Sequence, residues 1–274
     1  MKAIFFEYKK QVREYYVFGK GPKLLYAFHG FGQNGSIWRV FREWLADEFT
    51  IYAFNDFYHS ETNLSGNINN DLALEKEEIV DFFKHFAHKN GHRSVNLMAY
   101  SSGARTVLTL IEHNAFKINE VWLFAPDGIK LSFWNSMFCR YTIVQALFRR
   151  INDDPKWFFR TVSLLKYTGL LNKRRLSFVL YSMRVQSKRT KVYNYWLKYR
   201  NVIPLIDKVI ENGNENDVRI HLVFGKNDVL INEKIGKRFL KDYGRNADLF
   251  VIDASHHLIV EKHVSLLIDR YPLK

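Results

Sequence analysis

The stretch Val95-Asn96-Leu97-Met98-Ala99-Tyr100-Ser101-Ser102-Gly103-Ala104 runs from apolar residues into a helix-forming segment through a serine with small residues two positions to either side. A nucleophile on a sharp strand-to-helix turn needs that pattern, because larger neighbours would collide with the adjoining strand and helix. Ala99 and Gly103 satisfy it for Ser101. In the frame of Ser102 the position that must be small is Tyr100, so Ser102 is the poorer nucleophile. Its backbone N–H, at the positive end of the following helix, suits instead the stabilisation of a developing oxyanion. A serine hydroxyl is a weak nucleophile at neutral pH and needs an imidazole to take its proton, which in turn needs a carboxylate to fix its tautomer.

The elements that must position such a group follow from the pattern of apolar runs. Ala3 to Lys9 and Gln11 to Phe18 read as two strands closed by the Gly-Lys-Gly-Pro turn at 19 to 22. Lys23 to Phe28 is a short apolar run that stops at His29-Gly30-Phe31-Gly32, as a buried parallel strand feeding a loop would. A helix is expected from an N-cap at Ser36, with Trp38, Phe41, Trp44 and Leu45 on one face. Strands at Thr50 to Phe54, Ser94 to Tyr100, Glu120 to Ala125, Arg219 to Phe224 and Leu249 to Ile252 then alternate with helices at Leu72 to Lys89, Ser102 to His113, Glu233 to Tyr243 and His257 to Arg270. That rhythm predicts an α/β protein with a mostly parallel, doubly wound sheet of about eight strands.

Residues 130 to 210 break the rhythm, with apolar residues at helical spacing such as Phe133, Met137 and Tyr141. Asn212-Gly213-Asn214-Glu215-Asn216-Asp217 reads as a polar turn leading back to the sheet. The expected organisation is a core of 1–129 and 213–274 with a helical basic cap, 130–212, inserted between the sixth and seventh strands. The net charge of +13 belongs to that insert, since residues 130 to 210 hold 17 Lys and Arg against three Asp, leaving the rest of the chain close to neutral.

Here the sequence resembles the α/β-hydrolase superfamily over all but the insert. The loop His29-Gly30-Phe31-Gly32 is similar to the family's loop after its third strand, which implies the Phe31 N–H as a second oxyanion donor beside that of Ser102. Asp56-Phe57-Tyr58-His59-Ser60 faintly resembles the family's Asp-x-Pro-Gly-His-Gly loop but lacks its proline and glycines, so no role is carried over. Gly225-Lys226-Asn227-Asp228 is similar to the family's Gly-x-x-Asp and implies Asp228 as the acid, with Asp127 in Ala125-Pro126-Asp127-Gly128 as its rival. His256, five residues before Glu261, matches the family's late histidine and is selected over His257. The order Ser101, Asp228, His256 is the order the superfamily uses.

The resemblance implies a serine hydrolase cleaving an ester, thioester or amide of a small molecule, with no cofactor or metal. An anionic or amphiphilic substrate fits the insert's charge. The same site used for carbon–carbon bond lysis is one alternative, and a binder of anionic ligands or a membrane surface through the insert is another. Nucleic acid ranks low as a partner, because the basic residues are scattered over helices with no recognised binding motif. Contact with an anionic membrane is a further expectation. Lone Cys139 excludes an intramolecular disulfide and reads as core of the insert, and the amino terminus does not resemble a signal peptide, so a cytoplasmic protein is expected. His29 reads as a loop-holding residue, and His59, His85, His88, His92 and His113 as solvated.

Overall fold

The computed structural model describes residues 2–9, 11–59, 73–131, 133–166 and 183–270. Ser60, Leu72 and the Lys173-Arg174-Arg175 run lie outside the described residues. The chain divides into two compact units, one comprising Met1–Ile68, Glu75–Lys130 and Val202–Lys274, the other Asn69–Leu74 and Leu131–Asn201.

The first unit is built on one eight-stranded sheet: β1 (Ile4–Tyr8), β2 (Gln11–Phe18), β3 (Lys23–Phe28), β4 (Phe49–Phe54), β5 (Ser94–Tyr100), β6 (Lys117–Phe124), β7 (Arg219–Gly225) and β8 (Ala247–Ile252). Their spatial order is β1-β2-β4-β3-β5-β6-β7-β8. β2 pairs antiparallel with β1 and β4, and the other neighbours are parallel. Successive side chains on a strand point to opposite faces, and this splits the apolar runs between two cores. From β3 and β4, Leu25, Ala27, Ile51 and Ala53 pack with Trp38, Phe41, Val264 and Leu267 on one side. Tyr26, Phe28 and Phe54 meet Phe83 and Phe86 on the other, with ring centroids 5.0–6.4 Å apart. With both faces covered, these strands need the continuous apolar runs by which they were read.

Several elements depart from the sequence expectation for local reasons. The segment after β3 is a 3₁₀ helix, Gly35–Phe41, followed by the single turn α1 (Arg42–Leu45). Its N-cap is Asn34, whose Oδ1 accepts from the Ser36 N–H at 3.0 Å, rather than Ser36. Gly35 donates to Asn55 Oδ1 at 2.5 Å, and a Cβ there would stand 2.5 Å from the Ala53 carbonyl oxygen, so the chain enters against the end of β4. Helix α2 (Lys76–Lys89) starts after a capping box in which Glu75 and Glu78 satisfy each other's backbone N–H groups. α3 (Ala104–Glu112) follows β5 after one 3₁₀ turn.

The second unit contains α4 (Phe133–Arg140), α5 (Thr142–Asp153), α6 (Lys156–Lys166) and α7 (Gln186–Lys198). Phe138, Phe148 and Trp196 form its aromatic centre, with centroids 5.3–5.4 Å apart. Buried Arg189 donates to the carbonyl oxygens of Asn152 and Met183 at 2.9–3.3 Å, tying the end of α5 to the start of α7. Cys139 is only half-buried, and its thiol donates to Asn135 Oδ1 at 3.2 Å.

Back in the first unit, the supposed turn at 212–217 is largely helix: α8 spans Ile206–Glu215. Val209 is buried and Gly213 lies where a Cβ would be 2.2 Å from the Tyr243 hydroxyl, so packing overrides the turn-like composition. Residues 202–212, assigned by composition to the insert, therefore belong with the sheet. After β7 come α9 (Lys234–Tyr243) and α10 (Glu261–Arg270). α10 starts later than the apolar pattern suggests because Leu258 and Val260 donate to the carbonyls two residues before them, at 2.9 and 3.0 Å, a geometry no helix shares. Among the described residues no helix is long and apolar enough to cross a membrane.

At the other end of the strands His92, read as solvated, is half-buried with Nδ1 2.6 Å from the Tyr26 hydroxyl. Burial lowers its pKa. The native state thus favours the neutral ring, and its contribution to stability is complete above the unfolded value of about 6.5 and lost as pH falls below it. Urea midpoints at pH 7 and pH 5 should differ less for His92→Asn than for the wild-type chain; an equal difference would show that His92 does not carry the dependence.

Candidate active site

β5 ends at Tyr100, and Ser101 sits on the turn with φ of +50°, in the left-handed region that a non-glycine residue adopts at a cost of about 1–2 kcal/mol. The turn is tight because a single 3₁₀ turn, Ser101–Gly103, leads into α3 and its approach is close. A Cβ on Gly103 would lie 2.5 Å from the Phe28 carbonyl oxygen and 2.6 Å from that of His29, and Ala99 has no exposed surface. The small residues at 99 and 103 are thus required by contact with β3 and its loop.

Three chain segments converge on this turn. His256 Nε2 lies 3.1 Å from Ser101 Oγ, and His256 Nδ1 lies 2.7 Å from Asp228 Oδ2. The Asp228 side chain is completely buried, and its Oδ1 accepts from the backbone N–H groups of Leu230 and Ile231 at 2.8 and 3.0 Å. A carboxylate held by three donors stays put, and it requires the His256 proton to sit on Nδ1. Nε2 is then the acceptor for the Ser101 hydroxyl. His257 is exposed, so the spacing rule that chose His256 agrees with the geometry. Asp127 lies close, its N–H donating to the Ser101 carbonyl at 3.0 Å, but its carboxylate binds Arg105 at 2.6 and 2.9 Å.

Tyr100, which the sequence reading treats only as too large for its place, supports the histidine. Its hydroxyl donates to the His256 carbonyl at 2.7 Å, and its ring lies 5.3 Å from the imidazole. Burial, with Asp228 nearby, raises the phenol's pKa well above its ordinary value, so it remains a donor.

The loop 29–32 lies against the same turn, since a Cβ on Gly30 would stand 3.1 Å from Ser101 Cβ. Two imidazoles hold it. His29 Nε2 accepts from the Asp56 N–H at 3.0 Å, so its Nδ1 donates to the Gly30 carbonyl at 2.8 Å. His59 Nε2 accepts from the Gly32 N–H at 2.8 Å, so its Nδ1 donates to the Phe57 carbonyl at 2.9 Å. Each ring serves a carbonyl of its own loop and an N–H of the other, with centroids 5.1 Å apart. His59 is therefore buried and bonded, contrary to the solvated reading, and the faint motif at 56–59 was the signal for it. Asp56 is itself anchored, 3.6 Å from the buried Arg13 guanidinium, which lies over the Phe57 ring. Of the other histidines read as solvated, His85 stacks on Tyr8, His113 lies 3.8 Å from Glu112, and His88 is exposed. Phe31 follows Gly30, its ring 5.2 Å from His59, and Ser102 is buried within the 3₁₀ turn next to Ser101.

A mostly parallel eight-stranded sheet with a serine turn after β5, an acid after β7 and a histidine after β8 is the α/β-hydrolase fold. Solved structures with this fold superimpose over nearly the whole chain. A thermophilic esterase from Thermogutta terrifontis, solved with malate bound, is 14% identical with a TM-score of 0.66, covering 98% of this chain and 97% of its own. An α/β hydrolase enzyme from a Medee basin deep-sea metagenome library is 14% identical with a TM-score of 0.68, covering 99% and 98%. The enol-lactonase from Burkholderia xenovorans LB400 is 13% identical with a TM-score of 0.65, covering 97% and 98%. No family model and no curated protein sequence matches the chain.

Replacing His29 with Ala should leave the Asp56 N–H unpaired, at a cost of about 1–3 kcal/mol, while the Gly30 carbonyl keeps the Gln33 N–H that donates to it at 3.2 Å. Exposed His88→Ala should stay within about 0.5 kcal/mol of the wild type. Equal urea midpoints for the two variants would contradict the role given to the His29 bonds.

Proposed function

We propose that this chain is a serine hydrolase that transfers an acyl group from an ester, thioester or amide to water through an acyl-Ser101 intermediate. The observation that carries this reading is the unbroken chain from Asp228 through His256 to Ser101 at 2.7 and 3.1 Å. Superposition on an esterase and an enol-lactonase supports it at the level of fold.

In this reading Ser101 Oγ attacks the acyl carbon while His256 Nε2 takes its proton. The imidazolium so formed is stabilised by Asp228, and the negative charge on the acyl oxygen is met by the N–H groups of Phe31 and Ser102. Collapse breaks the bond to the leaving group, which receives the proton from His256. Water then repeats the sequence on the acyl-enzyme, releasing the carboxylic acid and restoring Ser101. The Lys and Arg content of the segment between β6 and β7 favours an anionic or amphiphilic acyl compound as substrate.

A fluorophosphonate probe should label wild-type protein on Ser101 and leave a folded Ser101→Ala variant unmodified. With a p-nitrophenyl ester, Asp228→Asn should lower kcat by roughly 10⁴ because the imidazole tautomer is no longer fixed, while Asp127→Asn should leave it within about tenfold. Probe-resistant, folded wild type would end the proposal, and a larger loss at Asp127 than at Asp228 would move the acid.

A further inference from the structure

His59 is buried and bonded through both ring nitrogens, yet no step of the proposed acyl transfer uses it. Its bond across to Gly32 acts on a particular piece of backbone. The Gln33 N–H donates to the Gly30 carbonyl at 3.2 Å, which closes a four-residue turn with Phe31 and Gly32 at its centre. Gly32 has φ of +82° whereas Phe31 is not at positive φ, the pattern of a type II turn. Type I and type II turns differ mainly by a flip of the central peptide, here the Phe31 carbonyl with the Gly32 N–H. Glycine adopts either, and among the described residues a Cβ on Gly32 would meet nothing within 4 Å, so crowding there does not choose between them. The bond from the Gly32 N–H to His59 Nε2, at 2.8 Å, does.

That choice reaches Phe31. Two peptide planes flank its Cα, and their directions set its φ and ψ. In the first, the Gly30 carbonyl accepts from His29 Nδ1 at 2.8 Å and from the Gln33 N–H. The bond is trans, so the Phe31 N–H points the opposite way. The second plane is held at its Gly32 N–H by His59. Gly30 itself lies against the nucleophile, where an added Cβ would stand 3.1 Å from Ser101 Cβ. His59 is fixed in turn by its own loop, with Nδ1 on the Phe57 carbonyl at 2.9 Å, and the Phe31 and His59 rings meet edge to face at 5.2 Å. An N–H stabilises an oxyanion best when it is aimed before the charge develops.

We propose that His59 is a positioning residue for acyl transfer: by taking the Gly32 N–H it locks the turn and keeps the Phe31 N–H aimed at the oxygen of the reacting carbonyl. This role rests on the acyl-Ser101 reading, with Phe31 as one of its two donors. The effect falls on the charged transition state, so losing it lowers kcat and leaves KM nearly unchanged.

Two substitutions separate the two bonds of the ring. His59→Asn places an amide where Nδ1 stands and can still donate to the Phe57 carbonyl, but offers the Gly32 N–H nothing; His59→Gln carries an acceptor oxygen out to the place of Nε2. Kinetics are read with a p-nitrophenyl ester and the matching thionoester, whose sulfur replaces the acyl oxygen and accepts hydrogen bonds poorly. The ratio of kcat/KM for ester over thionoester is taken within one preparation, so a loss of folded protein alone does not move it. Loss of a whole oxyanion donor costs roughly 100- to 1000-fold, so with His59→Asn kcat for the ester and the ratio should each fall about 10- to 100-fold. KM should stay within about threefold, and His59→Gln within about fivefold of wild type throughout. A His59→Asn ratio equal to wild type, or an equal fall in both variants, would overturn the positioning role while the fluorophosphonate label on Ser101 still stood. Wild-type protein that takes no label and turns over neither substrate would overturn the acyl-transfer reading, and this role with it.

Discussion

The approach of Gly103 to the carbonyl oxygens of Phe28 and His29 governs the geometry of the site. It forces the chain to turn abruptly as it leaves β5, and the residue at the apex must take a positive φ. A side chain held there is lifted clear of the sheet edge instead of lying along a strand or helix, so Ser101 stands where groups from other segments can reach it. Strain of about 1–2 kcal/mol is small against the burial of β3, β5 and α3 around it, and so the fold can hold the turn. Replace the glycine and either the helix moves off the sheet or the serine relaxes out of reach.

Everything else near Ser101 is fixed by groups that cannot exchange partners easily. Asp228 spends one carboxylate oxygen on two backbone N–H groups and the other on His256, which leaves the imidazole a single orientation. Tyr100 grips the same histidine from its carbonyl, so a residue adjacent to the serine also locates the serine's partner. On the opposite side the two histidines at 29 and 59 bind neighbouring loops reciprocally. In each, the nitrogen facing a backbone N–H must lack a proton, so the clasp exists only with both rings neutral.

How much of this is legible in the sequence follows from where the determining contacts lie. β3 and β5 are read to the residue because strands buried on both faces need mainly apolar runs, which the His-Gly loop and the serine turn end, and β2, polar at Gln11, Arg13 and Glu14, is closed by the glycine turn after Phe18. Ser101 is legible for the same local reason, as its requirement for Ala99 and Gly103 spans five residues. α8 is illegible because its Asn-Gly-Asn core is helical only through Tyr243, thirty residues further on. His59 escapes notice because its partners are backbone atoms, one of them 27 residues away, and the hydroxyl of Tyr100 acts across 156. Local pattern records what a segment is made of, whereas such bonds depend on which segments the sheet order makes neighbours.

The charge distribution adds a constraint of a different kind. The sheet unit is close to neutral and pairs its buried ions, as Arg13 with Asp56 and Arg105 with Asp127. In the helical unit, buried Arg189 instead spends its guanidinium on main-chain carbonyls, and burial lowers the pKa of Lys191. A unit that must absorb cations without acids loses stability through their mutual repulsion. Residues 131–201 hold 15 Lys and Arg against two Asp, so that repulsion is little offset by acids within the segment.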